Sequence, residues 1–163
     1  MPETALHAND LLKKNIAKYS GMVYKLAYSL VKDRYDADDI YQEVFMKYIR
    51  KSPCFHSKEH EKAWFIRVTV NCCKNFWKSA WRSKTTGFTE QDALSYDMEE
   101  PEAGIIMQVK ALPEKYRVVI HLFYYENMTI EEISSALKRK PSTVRTQLTR
   151  ARELLREKLK EDM

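Results

Sequence analysis

Apolar residues recur at three- and four-residue intervals along most of this chain, and few segments alternate regularly, so the pattern predicts an all-helical protein. The first runs to about Val31, with Asn9 or Asp10 able to cap it and Leu12, Ile16, Tyr19, Val23, Leu26 and Leu30 on one side. Residues 1–8 read as disordered. Gly21 weakens this helix by roughly 1 kcal/mol relative to Ala, enough to allow a bend or break. After a turn at 32–35, a second helix covers about 36–51. Its buried stripe is Ala37, Ile40, Tyr41, Val44, Phe45, Tyr48 and Ile49. A loop containing Pro53 leads to Ser57, which can cap a third helix reaching about Trp81. Ala63, Ile66, Val70, Cys73 and Trp77 make its apolar face.

From Thr85 to Ala103 the periodicity lapses into a linker containing Gly87, Ser95 and Pro101. The chain therefore divides into 1–84, a linker at 85–103, and 104–163. A helix at about 102–111 precedes Pro113, which suits the first position of the next helix. That helix extends to about Tyr125 and buries Tyr116, Val119, Ile120 and Phe123. Thr129 with Glu132 forms a capping box, and Ile130, Ile133 and Leu137 give the following helix one apolar stripe. Residues 138–141 interrupt it. Ser142 can cap a last helix, with Val144, Leu148, Ala151, Leu155 and Leu159 as its buried stripe. The expected fold is all-α: two small helical domains joined by an acidic, flexible linker.

Charge sharpens this picture. The net formal charge is +5, which favours a polyanionic partner. The bases gather in 62–84 and 138–160, and the linker is acidic. The last helix presents Arg145, Thr146, Thr149, Arg150 and Arg152 opposite its apolar stripe. Together with the preceding helix this makes a helix-turn-helix whose second helix would enter a DNA major groove. On the third helix, Trp64, Arg67, Asn71, Lys74, Asn75, Lys78, Trp81 and Arg82 share a second face. Rings, amides and cations interleaved in this way suit single-stranded nucleic acid, although core packing is the better account of Trp64. On the second helix, Asp39, Gln42, Glu43 and Met46 form one face, with Asp38 beside it. Two accounts are open there: acids favoured by the helix macrodipole, or a docking patch for a partner helix.

Other chemistry is sparse. Cys54, Cys72 and Cys73 suit neither a disulfide nor a zinc site and read as reduced thiols of a cytosolic protein. His7, His56, His60 and His121 are scattered, and His56 with His60, at i and i+4, read as surface histidines rather than a metal pair. There is no glycine-rich phosphate loop and no nucleophile–base pattern. No enzymatic activity, metal or cofactor is expected. No signal peptide or membrane-length apolar run appears, so a soluble, cytoplasmic location is expected.

Four segments in this order resemble the extracytoplasmic-function (ECF) group of bacterial RNA polymerase sigma factors. They are DADDIYQEVFMKYIRK (36–51), EKAWFIRVTVNCCKNFWKSAWR (61–82), ALPEKYRVVIHLFYYENMTIEEIS (111–134) and PSTVRTQLTRARE (141–153). The resemblance implies sigma region 2 over 1–84 and sigma region 4 over 104–163. It implies that Asp38, Asp39, Gln42, Glu43, Phe45 and Met46 meet the β′ clamp helices of RNA polymerase core. It places Trp64, Arg67, Asn71, Lys74, Asn75, Lys78, Trp81 and Arg82 at the promoter −10 element, with a flipped-out base held near 82–87. Ser142, Thr143, Arg145, Thr146, Thr149 and Arg150 fall at the −35 element, and the 102–126 helices approach the β flap. A cognate anti-sigma factor, able to hold the protein at the membrane, is implied as well, and no small-molecule substrate. One position departs from the family pattern: Lys138 stands where glycine is usual. Either Lys138 takes the left-handed conformation at some cost or the turn differs in shape. The alternative function is a stand-alone helix-turn-helix regulator, which needs neither the acidic face nor the Asn/Lys row.

Overall fold

The computed structural model describes residues 2–83 and 108–161, and every regular element among them is helical. Helix α1 spans Pro2–Val31. It begins well before Asn9, so neither Asn9 nor Asp10 is its cap and residues 2–8 are helical. Proline suits a first helical position because its missing N–H needs no partner there, and residues 3–9 contain no breaker. Gly21 does not interrupt the helix. Helix α2 spans Arg34–Lys51. Asp33 sets its start by accepting the Asp36 N–H at 3.3 Å, two residues ahead of the apolar pattern. Ser52 ends it in the left-handed region, φ 39°. Helix α3 spans Lys58–Ser83, and the Ser57 hydroxyl accepts the His60 N–H at 3.1 Å, the expected cap.

These three helices bury Val23, Leu26, Ile40, Val44, Phe65 and Ile66 together. Phe65 is the hub of an aromatic cluster, stacked on Tyr19 at 4.5 Å and met by Trp64 at 5.0 Å and Tyr48 at 5.1 Å. Asn15 is buried and satisfied by donating to the Tyr48 hydroxyl at 2.8 Å. Ile49 departs from the expected stripe: it is 49% exposed, because the ring cluster closes the bundle at Tyr48.

The second body begins with helical residues 108–110, and Ala111 is already in a turn; residues 102–107 of the expected 102–111 helix and the linker lie outside the described residues. Helix α4 spans Glu114–Ile120, entered from Pro113 in the capping position. The expected continuation to Tyr125 is not α-helical. His121–Tyr125 form a π-helical turn, in which the Glu126 N–H reaches the His121 carbonyl at 3.3 Å. The widened turn leaves His121 and Leu122 buried and Phe123 only half-buried. Helix α5 spans Ile130–Leu137, with the Thr129/Glu132 capping box formed as expected. Helix α6 spans Pro141–Glu161. Pro141 occupies its first turn, so Ser142 is inside the helix and is not its cap. Val144, Leu148 and Ala151 are buried as expected, whereas Leu159 is 48% exposed beyond the end of the packed region.

Lys138 joins α5 to α6 at φ 54°, ψ 47°, in the left-handed region. The turn keeps the shape that glycine would favour and Lys138 carries the strain. The Lys138 and Arg139 N–H groups both reach the Ser134 carbonyl, which closes the helix end. The two bodies also touch: α3 packs on α5, and α1 packs on α4.

Candidate functional site

Three exposed surfaces stand on three different helices. On α2, the apolar stripe turned into the bundle leaves Asp38, Asp39, Gln42, Glu43 and Met46 outside, with Met46 54% exposed. Glu43 also pairs with Lys47 at 3.5 Å, one helical turn on. Phe45 does not belong to this surface. It is buried between Tyr41 and Phe65, since its position on the helix points into the bundle. Asp36, at the helix start, is half-buried; burial and then the neighbouring Asp33 push its carboxyl up to about 6.

On α3, Asn71, Lys74, Asn75 and Lys78 are all exposed and share one face. Trp64 is half-buried within the Tyr48, Phe55 and Phe65 rings, so the packing account describes it. The side chains of Trp81 and Arg82, and the base pocket expected near 82–87, lie outside the described side chains. Arg67 is turned away from the row. Its guanidinium donates to the Ala136 and Ser135 carbonyls at the end of α5, each at 3.3 Å.

On α6, Ser142, Thr143, Arg145, Thr146, Thr149 and Arg150 are all exposed. The Thr146 and Thr149 hydroxyls donate back to the Ser142 and Arg145 carbonyls. Arg139 braces the turn beneath them, donating to Gln147 Oε1 at 3.0 Å and to the Lys115 carbonyl at 3.3 Å. Beside this exposed face, Arg152 donates to the Tyr124 hydroxyl at 2.8 Å and lies over the Phe123 ring.

Several functional-looking groups escaped sequence reasoning. His121 is buried. Burial, and then Lys25 on α1, push its imidazole down to about 4. Its Nε2 lies 4.0 Å from Glu126, too far for a hydrogen bond. Glu126 is itself held above the usual carboxylate range by burial, with Lys62 and Lys25 pulling the other way. Arg117 is buried and donates to the Lys110 carbonyl at 2.9 Å. Cys72 and Cys73 are buried free thiols, pushed up by burial to about 11 and about 12, while Cys54 is exposed. Among the described residues no group of His, Cys, Asp or Glu is arranged to hold a metal ion.

Family comparisons follow the same division. The sigma-70 region 2 family model matches residues 16–83, and the sigma-70 region 4 family model matches residues 104–155. RNA polymerase sigma factor SigV of Bacillus subtilis is 30% identical over 156 residues, 94% of each chain. ECF RNA polymerase sigma factor SigW of the same organism is 26% identical, with 88% of this chain and 86% of SigW covered. This chain is an ECF-group RNA polymerase sigma factor.

Solved structures agree on the fold. The sigma factor RpoE of Bartonella quintana, crystallised with the anti-sigma factor NepR, matches with TM-score 0.74 at 21% identity, over 93% of this chain and 98% of that one. CnrH, solved with the cytosolic domain of CnrY, matches with TM-score 0.73 at 20% identity, over 95% and 91%. As a sigma factor the protein directs promoter-specific transcription initiation, binding RNA polymerase core and promoter DNA. The match to region 2 sets the stand-alone regulator aside, since such a protein needs only the second body. No helix among the described residues is long and apolar enough to cross a membrane.

Proposed function

We propose that this sigma factor divides its work by residue as follows. Residues 1–84 dock on polymerase core and read the −10 element, residues 104–163 read the −35 element, and 85–103 link them. Asp38, Asp39, Gln42, Glu43 and Met46 meet the β′ clamp helices, acids steering the encounter and Met46 supplying apolar contact. Asn71, Lys74, Asn75 and Lys78 face the displaced strand at −10. Ser142, Thr143, Arg145, Thr146, Thr149 and Arg150 enter the −35 major groove, and the α4 region faces the β flap. The observation that supports this most is the exposure of all three surfaces on separate helices, each backed by a packed core. RpoE and CnrH were each solved with a protein partner, RpoE's being an anti-sigma factor. We extend to this chain an anti-sigma partner that covers the same surfaces.

The test is promoter binding by reconstituted holoenzyme on templates altered at one element at a time. Arg145→Ala costs about 1–3 kcal/mol of discrimination at −35 and leaves −10 preference intact. Asn71→Ala does the reverse. A uniform loss on every template would make these phosphate contacts and overturn the assignment.

A further inference from the structure

Arg117 carries its charge into the core without a full set of partners. It is 5% exposed. Its Nη1 donates to the Lys110 carbonyl at 2.9 Å, while its Nε has no partner. A buried charged donor left unpaired costs free energy that a packed apolar residue would not. Glu114, one turn back on α4, is the carboxylate that acts on Arg117, yet no salt bridge joins the two among the described residues. Glu114 is also shared with Lys74 and Arg139.

Three lysines gather around this guanidinium. Hydrogen bonds through Tyr28 fix two of them. Lys32 follows α1 at φ 67°, its N–H donating to the Tyr28 carbonyl at 2.9 Å. Lys110 donates from Nζ to the Tyr28 hydroxyl at 2.9 Å and offers its own carbonyl to Arg117. Lys158 comes from α6, which packs on α4. Lys110 and Lys158 are half-buried and Lys32 is exposed, so the cluster runs from a buried guanidinium out to a solvent-facing ammonium. Partial desolvation, and then the positive charges of Arg117, Lys110 and Lys158, hold the Lys32 ammonium below the usual lysine range. Among the described residues none of the four forms a salt bridge with a carboxylate. The helix macrodipole accounts for Lys32 and Lys158, which lie at or near the carboxy-terminal ends of their helices. It does not account for a buried guanidinium with an idle Nε, whose helix runs on into the π-helical turn.

Like charges held together repel, and a bound anion removes that repulsion. A single carboxylate carries too little charge for four cations. A chain of phosphates concentrates several charges on a small group and offers oxygens to a guanidinium and to ammonium groups at once. We propose that Lys32, Lys110, Arg117 and Lys158 form a binding site for a small, free oligophosphate. The site stands apart from the exposed face of α6 at 142–150: Lys158 lies about 12 Å along the helix from Arg150. It does not depend on the promoter-reading assignment made above.

Isothermal titration calorimetry of the full chain with sodium tripolyphosphate, at constant ionic strength, tests this. The expected result is one tripolyphosphate per chain with Kd below about 1 mM. Lys32→Gln with Lys158→Gln weakens binding by about tenfold or more. Neither side chain is buried, and unchanged helical circular dichroism confirms that this variant folds. Arg145→Gln with Arg150→Gln, on the exposed face of the same helix, leaves tripolyphosphate binding as it was. Promoter binding by reconstituted holoenzyme is unaffected by the Lys32 and Lys158 substitutions. Absence of binding, or equal loss from both pairs of substitutions, overturns the site. Promoter affinity lost in step with tripolyphosphate affinity would make the cluster a DNA-backbone contact and overturn the free ligand. Binding that appears only when Glu99, Glu100 and Glu102 are changed to Gln would give the cluster to the chain's own acids, and overturns it too.

Discussion

Lys138 and Gly21 are mirror images of one local mismatch. Lys138 holds φ 54°, where an L side chain costs about 1–2 kcal/mol, and Gly21 occupies a helix interior where its freedom serves no turn. A Cβ added at Gly21 meets nothing within 4 Å. Gly21→Ala is therefore expected to stabilise the protein by about 0.5–1 kcal/mol, and Lys138→Gly by up to about 1 kcal/mol once glycine's greater unfolded entropy is subtracted. Urea unfolding of each variant checks both. Lys138 was legible because the break at 138–141 required a turn; its two possible shapes could be separated only by the backbone itself. His121 was not legible. Its environment includes Lys25, which reaches it from α1, far away in sequence. With the folded imidazole at about 4 and the unfolded one near 6.5, the unfolded chain takes up a proton that the folded chain refuses. Stability is thus lost as pH falls from about 6.5 toward 4, by up to about 3 kcal/mol for this group. Glu126 and Asp36, raised by burial, work in the opposite sense and mask part of the slope. The comparison is therefore with His121→Gln, which should lose less stability than the unsubstituted protein over that window. Identical pH profiles would mean that His121 is solvated in solution.

At the scale of elements, periodicity located the helices and caps set their ends. Where a cap matched the apolar pattern, as at Ser57 and Thr129, the boundary came out correctly. Where proline opened the helix instead, at Pro2 and Pro141, polar residues inside the first turns were mistaken for caps. The π-helical turn at His121–Tyr125 left no periodic signature, because five residues are too few to show a change of period. Of the proposed docking face, Asp39, Gln42, Glu43 and Met46 were readable as the complement of the buried stripe. Phe45 was misassigned by proximity alone, since it lies on that stripe. The exposed acids lead to a direct expectation. Asp39→Lys with Glu43→Lys weakens core binding at least tenfold at low salt, and the deficit shrinks as salt rises. Equilibrium binding of labelled full-length protein to core across a salt series measures it. Unchanged affinity would return these acids to being a solvated helix face.

For the whole molecule, the division into two helical bodies followed from the lapse of periodicity after Thr85, although their buried side chains join in one continuous cluster. Their contact was beyond sequence reasoning. Arg67 on a mixed ring, amide and cation face reads as a nucleic-acid ligand, and only the fold brings Ser135 and Ala136 to it. The two bodies, one with an acidic-faced helix and one with a basic-faced helix, make sense together as a subunit that lends promoter specificity to RNA polymerase core. The most direct measurement is transcription by core polymerase, alone and with this chain added, on a library of genomic promoter fragments from the source organism. The account predicts that the chain adds initiation at a restricted set of sites sharing two sequence elements spaced for −10 and −35. No added initiation across the library, or initiation independent of those elements, would contradict it.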